Sequence, residues 1–355
     1  MRLTDRHIWI VALTGLVMGI LGVLLSMWGN PENSGICVSC FMENTAGALG
    51  LHDNARLQYL RPELPGFAAG ALLSALIARE FRPRGGSAPL LRLFSGIFLI
   101  VGCAIFIGCP IKLALRLSSG DLTAVSGVVG IVAGAWLGIR ATTHGVELGE
   151  QRQETALSGA MMPAFFLLLL LFVFIRPAFV ITSTEGSSIR HAPPLISLGS
   201  GVLLGILAQR SRFCITGSIR DILLMGRRAP QLVGLLLFII AAVSISVGSG
   251  SFRLSLYGQP GAHLEHLWSF LGMLLVGWLS ILIGGCPFRQ VIKAGEGDSD
   301  AGLAVAGMLL GGALVQSWGI AATAAGVPLN GKIAILGGLA FLLLVSLLCR
   351  DRASR

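Results

Sequence analysis

The sequence predicts an all-α, polytopic membrane protein with about nine or ten transmembrane helices, short re-entrant helices and an internal inverted repeat. Composition is the first observation behind this fold class: 54% of the residues are apolar, only 12% are charged, and the mean hydropathy is +0.82. A soluble protein of this composition would lack the polar surface that it needs. The second observation is the length of the apolar runs, and the third is a motif that occurs twice.

Ten apolar runs are long enough to enter or cross a bilayer. They cover approximately residues 8–27, 64–78, 90–107, 122–139, 161–181, 195–208, 232–247, 267–283, 302–318 and 333–348. Several fall short of the ~20 residues that a full span needs, which indicates broken or re-entrant helices. A Trp28-Gly29-Asn30-Pro31 turn follows the first run without a cleavage site, so this run is predicted to remain as a helix.

The repeated motif recurs at one constant offset in residue number, which we call the repeat offset. It carries Gly108-Cys109-Pro110 onto Gly285-Cys286-Pro287, and Gly120-Asp121 onto Gly297-Asp298. Between residues 108 and 134, nine positions are identical at this offset, and two Lys/Arg exchanges join Lys112 to Arg289 and Arg116 to Lys293. The same offset carries Cys37 onto Cys214. The chain is therefore predicted to be internally duplicated.

The order of the spans predicts how the two copies are oriented. The run at Ile8 is the first crossing and its counterpart at Leu195 is the sixth, so the shift is odd and the copies enter the membrane in opposite directions. Inverted repeats are typical of transporters. The predicted organisation is a first half over residues 1–140, a connecting helix and loops over 141–190, a second half over 191–330, and a C-terminal helix with a basic tail over 331–355.

Lys and Arg residues predict the topology. With ten spans and the N-terminus inside, 18 of the 26 cations fall on the cytoplasmic side, where membrane proteins hold an excess. They are Arg2, Arg6, Arg79, Arg82, Arg84, Arg92, Arg140, Arg152, Arg210, Arg212, Arg220, Arg227, Arg228, Arg289, Lys293, Arg350, Arg352 and Arg355. Both termini are therefore predicted to be cytoplasmic.

Each Gly-Cys-Pro sequence predicts a break between two helices. Proline ends one helix and suits the first position of the next, so half-helices should begin at Pro110 and Pro287. Cys109 and Cys286 would then lie near the helix N-termini, where free amides and the dipole attract anions. Together with Gly108 and Gly285 as helix-break residues, these positions predict an anion pathway.

Two cations follow each break with a spacing of four residues. Lys112 and Arg116 share one helix face, as do Arg289 and Lys293. In hydrocarbon each cation would cost roughly 2.5–3.5 kcal/mol, so these side chains are predicted to face an aqueous pathway and to attract an anion. Asp121 and Asp298 are predicted to cap the helices that come next.

The remaining cysteines separate into two groups. Cys37 and Cys214 are matched by the repeat and are candidate pathway thiols, whereas Cys103 and Cys349 are interpreted as apolar filler. Cys37-Val38-Ser39-Cys40 has the spacing of a redox pair, and a reversible disulfide stays open as an alternative. A zinc site is not expected, because four ligands are not available.

Other classes of function find little support. No phosphate loop, nucleotide fingerprint or soluble domain is present, so neither a cofactor nor an enzymatic activity is expected. The net charge of +9 is explained by contact with anionic lipid rather than nucleic acid. The polar segment 43–54 fits either a re-entrant loop that lines a vestibule or a plain surface loop.

The duplicated Gly-Cys-Pro motif, with its basic residues, Gly-Asp and earlier cysteines, resembles the YeeE/YedE family of sulfur-transport membrane proteins. The resemblance covers nearly the whole chain. A second sequence segment is similar to the YedE branch of the family, which is associated with selenium transport. This segment is Gly35-Ile36-Cys37-Val38-Ser39-Cys40-Phe41-Met42-Glu43-Asn44-Thr45-Ala46-Gly47-Ala48-Leu49-Gly50-Leu51-His52.

This resemblance implies an hourglass-shaped bundle in a bacterial inner membrane. It implies a constriction where a thiosulfate-like ion passes between the thiols of Cys109 and Cys286, with Cys214 and Cys37 at the approaches. It also implies a small cytoplasmic sulfur-carrier protein as a partner.

The sequence therefore favours uptake of a small sulfur- or selenium-containing anion. Weak thiol contacts suit a large, polarisable atom and let it leave again. Two alternatives remain open: a membrane thiol oxidoreductase that acts through Cys37 and Cys40, and an export channel for persulfide or selenide.

Overall fold

The structure is a computed structural model that describes residues 3–349, with side chains from His7 onward. The predicted basic tail at 350–355 and Arg2 lie outside the described residues. Fourteen α-helices make up the described part. The first seven are α1 (Leu3–Met27), α2 (Val38–Ala48), α3 (Glu63–Ile77), α4 (Pro89–Phe106), α5 (Pro110–Ser118), α6 (Ala124–Thr143) and α7 (Ala156–Ile175).

The second seven helices follow in the same order of long and short elements. They are α8 (Pro194–Ser211), α9 (Ile215–Met225), α10 (Pro230–Gly248), α11 (His266–Leu282), α12 (Pro287–Gly295), α13 (Ser299–Ser317) and α14 (Leu329–Leu348). A 3-10 turn at Gly226–Arg228 follows α9, and two-residue strands β1 (Arg84–Gly85) and β2 (Arg152–Gln153) pair antiparallel. The predicted all-α membrane fold is confirmed.

Eight stretches of the described chain are long and apolar enough to cross a membrane. They are α1, α4 with α5, α6, α7, α10, α11 with α12, α13 and α14. The apolar helix α3, with 15 residues, is shorter, and α8 has 18 residues. A count of nine spans requires one of these two helices to cross as well, and a count of ten requires both, so the predicted count stays a prediction.

The two halves match helix for helix. The repeat offset carries α2 (Val38–Ala48) onto α9 (Ile215–Met225) and α5 (Pro110–Ser118) onto α12 (Pro287–Gly295) without any difference in bounds. The start of α4 moves onto the start of α11 by the same shift. Helices α7 and α14 each come seventh, so the helix that the sequence suggested as an unpaired connector occupies the same place in its half as α14.

The halves interlock instead of lying side by side. Helix α4 packs on α13 of the other half, and its counterpart α11 packs on α6. In the same way α3 packs on α8, and α10 packs on α1. Every one of these four pairs joins the halves, and the exchange of partners is what an approximate two-fold relation between the halves produces.

Glycines permit the closest of these helix contacts. A Cβ atom on Gly134 in α6 would lie 2.1 Å from the carbonyl oxygen of Leu274 in α11. A Cβ atom on Gly307 in α13 would lie 2.1 Å from the carbonyl oxygen of Leu93 in α4. Small residues at helix interfaces allow this backbone approach in membranes.

Linkers at the two ends of the bundle cover the short helices. The linker that carries β1 reaches the end of α12, where the Arg82 amide donates to the Glu296 carbonyl over 3.1 Å. The linker 249–265 reaches the end of α5, where the Arg253 amide donates to the Ser119 carbonyl over 2.8 Å. We call these ends the ribbon face and the opposite face; α6, about 30 Å long, runs between them.

Candidate functional site at four short helices

Four thiols occupy the same structural position in four short helices. Cys37, Cys109, Cys214 and Cys286 are the N-cap residues of α2, α5, α9 and α12. These helices have only 11, 9, 11 and 9 residues, in that order. The sequence placed Cys109 and Cys286 at such N-termini, and the structure adds Cys37 and Cys214.

Each Gly-Cys-Pro sequence separates a long helix from a short one. Helix α4 ends at Phe106 and α5 begins with Pro110, where the missing amide hydrogen costs nothing. In the second half α11 ends at Leu282 and α12 begins with Pro287. The breaks are therefore located where the sequence predicted them.

The glycine of each motif makes room for the cation that follows it. A Cβ atom on Gly108 would lie 2.5 Å from Cδ of Lys112, and one on Gly285 would lie 2.6 Å from Cγ of Arg289. Glycine thus allows each cationic side chain to fold back along the start of its own helix.

The thiols form one pair in each half. Cys214 and Cys286 have their sulfur atoms 2.9 Å apart, and the amide of Cys286 lies 3.5 Å from the Cys214 sulfur. Cys37 lies next to Cys109. The repeat offset matches Cys37 with Cys214 and Cys109 with Cys286, so the two pairs correspond. Cys40 adds a third sulfur in the first half only, 2.6 Å from that of Cys37. All seven cysteines are free thiols.

The two thiol pairs lie where the halves meet. Helix α5 contacts α9, and α12 contacts α2, so each break helix touches the short helix of the other half. The exposed fraction is 0% for Cys37 and Cys286, 1% for Cys109 and 3% for Cys214. The thiols are therefore buried in the centre of the bundle and closed to solvent.

One cation of each half is neutralised by the aspartate of the motif. Arg116 Nε lies 2.6 Å from Asp121 Oδ2, and Lys293 Nζ lies 3.4 Å from Asp298 Oδ2. Arg116 is 1% exposed and also donates to the Phe106 carbonyl and to the hydroxyl of Thr123. These two cations hold the ends of α5 and α12 in place.

The two aspartates differ in how they cap. Asp298 is the N-cap residue of α13 and accepts from the amide of Ala301, as predicted for a helix cap. Asp121 is not an N-cap, because α6 begins three residues later, with Thr123 at the cap position. Its carboxylate accepts from the Thr123 amide and hydroxyl instead, so the prediction for Asp121 was wrong.

The other two cations have different surroundings. Arg289 pairs with Glu296, with 2.9 Å between NH1 and Oε1. Lys112 is only 4% exposed, and among the described residues no carboxylate lies within 4.0 Å of its ammonium group. The pair of cations that the sequence treats alike is thus unequal in the structure.

A polar cavity of about 110 Å³ opens at the ribbon face. Its lining residues are Glu80, Arg82, Arg84, Gln209, Arg212, Arg289 and Glu296. The amide of Gln209 donates to Glu80 over 2.8 Å and lowers the pKa of that carboxyl below its usual value. Four arginines and two glutamates leave the cavity with a positive charge, which favours an anion.

A second cavity, of about 270 Å³, is apolar. Met42 and Leu64 line it on one side, and Met161, Phe165 and Leu169 of α7 line it on the other. Neither of these two cavities is lined by a cysteine.

The polar segment at 43–54 differs from both sequence alternatives. Glu43, Asn44 and Thr45 belong to helix α2, and Asn44 and Thr45 are buried. The start of the segment is helical up to Ala48, so both predictions, a vestibule loop and a surface loop, are wrong for that part. His52 is buried and contacts the Glu43 carbonyl over 2.9 Å.

A buried arginine beside α2 was missed by sequence reasoning. Arg61, 1% exposed, donates to Asn44 over 2.9 Å and to Asn30 over 3.0 Å, while Asn30 donates to Glu63 over 2.8 Å. The only sequence feature that could have indicated this buried arginine is the pair of charged residues on either side of Pro62, directly before an apolar run. No cluster of three metal-ligating side chains occurs in residues 3–349.

Comparison with known proteins bears on this arrangement. Residues 210–350 match the model of the family described as Sulphur transport. This part of the second half is therefore similar to the sulphur-transport family. The match covers α9 to α14 and therefore contains the Cys214 and Cys286 pair.

Two curated relatives agree with the family match. The thiosulfate transporter TsuA of Escherichia coli (strain K12) is 34% identical over 108 residues, which is 29% of this chain and 28% of the relative. A Salmonella typhimurium protein named probable transporter YedE is 29% identical over 113 residues, or 30% of this chain and 26% of the relative. The chain thus aligns with little more than a quarter of each relative. The predicted family resemblance is confirmed, while the selenium branch stays a prediction.

Proposed function

We propose that the protein is a membrane transporter or channel for uptake of a small sulfur- or selenium-containing anion of the thiosulfate type, and not an enzyme. The observation that carries this proposal is the placement of four buried thiols at four short-helix N-termini, paired in the same way in both halves. The two relatives, named as transporters, one of them for thiosulfate, support the substrate class.

The chemistry of the site suits such an anion. Free amides and the helix dipole provide about half a positive charge at each N-terminus. Thiols are weak donors, so they contact a soft terminal sulfur or selenium atom without the strong hydrogen bonds that oxygen anions require. We infer that positive helix ends attract the anion and that Cys109, Cys286, Cys214 and Cys37 pass it along.

In an inverted repeat the two halves enter the membrane in opposite directions. We infer that α3 and α8 cross together with the eight longer stretches, so that α1, α3, α4, α6 and α7, or their counterparts, give each half five crossings, which is an odd number. We therefore infer an inverted repeat, with the first thiol pair nearer the opposite face and the second nearer the ribbon face. The exchanged helix partners described above support it.

The proposed location is a bacterial inner membrane with the ribbon face in the cytoplasm. Exposed arginines in the middle of α9 and in the turn after it, Arg220, Arg227 and Arg228, follow the positive-inside pattern and would contact anionic lipid. The positive cavity at this face is a suitable docking point for a small sulfur-carrier protein that takes up the anion.

Buried thiols imply that this structure is a closed state. An anion reaches Cys109 or Cys286 only when the linkers over α5 and α12 or the short helices themselves move. Such gating movements occur on microsecond to millisecond timescales in transporters and lids.

Uptake of labelled anions tests the proposal. Cells that express the wild type should accumulate labelled thiosulfate or selenite and should discriminate against sulfate. Cys109→Ala and Cys286→Ala should lose most uptake while still inserting, whereas Cys349→Ala, a thiol at the end of α14, should keep it. Normal uptake by both site variants would show that these thiols only pack.

Close sulfur atoms in the first half favour one alternative function. Cys37 and Cys40 are near enough for thiol–disulfide chemistry, as a membrane thiol oxidoreductase would need. In that case Cys40→Ser would abolish activity, and trapped mixed disulfides with a redox partner would appear by mass spectrometry. In the transporter proposed here, Cys40→Ser retains uptake, since the second half has Gly217 at the matching position.

A further inference from the structure

We propose that the two cations that follow the helix breaks are used unequally: Lys112 binds the incoming anion, while Glu296 occupies Arg289 and must be displaced before the anion binds there. This inference rests on the proposed function and deepens it. It assigns the resting anion site to the α5 end of the pathway.

Lys112 is a buried cation with no carboxylate within 4.0 Å among the described residues, and the Cys37 thiol and the Glu43 carboxyl are the acidic groups that interact with it electrostatically from outside an ion pair. It is the third residue of α5, so its ammonium belongs to the same positive helix end as Cys109. The side chain is 4% exposed, and its Nζ atom lies close to Gly261 in the linker that covers this end, 2.9 Å from where a Cβ atom would stand. A buried charge is costly when it is unpaired, and a bound anion removes that cost.

Arg289 stands at the matching place in α12 and already has an internal anion. Its guanidinium lies 2.9 Å from Glu296, and both side chains are largely buried, at 10% and 13% exposure. Glu296 therefore occupies the position in which a substrate oxygen or sulfur would contact the arginine.

A single exchange in the repeat explains the difference. The repeat offset pairs Glu296 with Ser119, which is 7% exposed and donates to the Arg116 carbonyl over 2.8 Å. Seven residues separate Ser119 from Lys112 and Glu296 from Arg289, and residues at this spacing lie on the same helix face, two turns apart. The first half could hold a carboxylate at this point and has a hydroxyl group instead.

The asymmetry has a consequence for transport. An anion entering at the opposite face meets an available cation, whereas one that reaches Arg289 competes with Glu296 and is released more readily. The release would occur into the polar cavity, since Arg289 and Glu296 both line it. Tight capture at one end and weak binding at the other favour net movement toward the ribbon face.

Equilibrium binding of labelled thiosulfate to the purified full-length protein in detergent tests this inference. Wild type should bind one equivalent. Lys112→Gln and Ser119→Glu should both weaken binding by roughly tenfold or more, because one removes the cation and the other supplies it with an internal anion. Ser119→Gln, of similar size but neutral, should stay within about twofold of wild type. Glu296→Gln, which frees Arg289, should raise the stoichiometry toward two.

The outcomes separate the inference from the proposed function. If wild-type protein transports thiosulfate into vesicles but Ser119→Glu and Lys112→Gln bind it as wild type does, the unequal use of the cations is wrong and the transport function stands. Wild type that neither binds nor transports thiosulfate, selenite or a persulfide contradicts both. Size-exclusion profiles confirm folding of each variant, and should Ser119→Glu aggregate, Lys112→Gln and Glu296→Gln decide.

Discussion

Lys112 and Arg116 show how far residue type alone predicts a role. The sequence places both cations on one face of a short helix behind Cys109, and by charge and spacing they are equivalent. The two cations differ in their partners. Asp121, which lies beyond the end of α5, forms an ion pair with Arg116, whereas no described carboxylate forms one with Lys112. The sequence repeat shows that Ser119 stands where the second half has Glu296. Only the structure shows that the helix is long enough for a residue at this position to lie beside the cation of its half, as Glu296 does.

Replacement of Arg116 or Lys112 by methionine should have different effects on stability. Arg116→Met leaves Asp121 buried and unpaired, so we expect a loss of about 3–5 kcal/mol in the free energy of unfolding. Lys112→Met removes a buried cation that has no described partner, so it should leave stability unchanged or raise it. Thermal unfolding of the purified variants in detergent measures both, and equal destabilisation would contradict the assignment of Arg116 to structure and Lys112 to binding.

Gly108→Ala should reduce uptake through Lys112. The added Cβ atom would stand 2.5 Å from Cδ of that side chain and would push it away from the helix start. Uptake at low anion concentration should fall, with a smaller effect at saturating concentration, because capture is impaired. Gly199→Ala, which meets no atom within 4 Å, is the control and should transport normally.

At the scale of elements, sequence reasoning located the breaks well and the remaining packing less well. Pro110 and Pro287 begin α5 and α12 as predicted, because proline acts locally. The positions of Cys37 and Cys214 as N-cap residues were not predicted, since neither is followed by proline and the preceding linkers have no periodic pattern. The burial of Arg61 also depends on Asn30 and Asn44, which are distant in sequence.

Close helix approach predicts a contrast between two glycines. Gly134→Ala would place a Cβ atom 2.1 Å from the Leu274 carbonyl and force α6 away from α11, at a cost of about 1–3 kcal/mol. Gly337→Ala lies on an exposed part of α14 with no atom within 4 Å and should stabilise the helix by about 0.5–1 kcal/mol. Melting temperatures in the same detergent should therefore move in opposite directions.

The contact between the β1 linker and α13 predicts a loss of stability in acid. Burial raises the pKa of Asp298, but Lys293, the Ala301 amide and Arg84 together lower it further, so the net pKa lies below its usual value. A lowered pKa in the folded state means that the carboxylate stabilises the fold above its unfolded pKa of about 3.9. That contribution is lost as pH falls through the folded value.

Asp298→Asn should remove this pH dependence. Wild type should lose melting temperature below about pH 4, whereas the variant should start lower and change less over the same range. Asp53→Asn, at an exposed position, is the control and should follow the wild-type curve. A variant curve parallel to that of wild type would contradict the role of Asp298.

For the whole molecule, the duplicated motif was the most informative feature of the sequence. It predicted two halves, and the matching bounds of α2 with α9 and of α5 with α12 agree with the repeat offset read from positions 108–134 and from the match of Cys37 with Cys214. The sequence did not predict that the halves exchange partners, with α4 packed on α13 and α11 packed on α6. Apolar periodicity shows which face of a helix is buried, but it does not identify the helix that this face contacts. The connecting role of α7 stays a prediction, although α7 holds the same place in the helix order of its half as α14.

Labelling from the two sides of the membrane tests the proposed orientation. Gln153, in β2, is exposed at the ribbon face, and Ser251, in the linker over α5, is exposed at the opposite face. A single cysteine is introduced at each position. With Cys40 and Cys349 replaced by serine, an impermeant maleimide added to whole spheroplasts should label only position 251. In inside-out vesicles it should label only position 153. The reversed result would place the ribbon face outside.

Four sulfhydryl groups with no more than 3% exposure also matter to the cell that houses the protein. A permanently wetted pore of this kind would let protons and chloride leak and would dissipate the membrane potential. Because the four thiols are buried, the pathway that we propose is closed in this structure, and a protein with that function would not drain the energy stored across the bilayer while it rests.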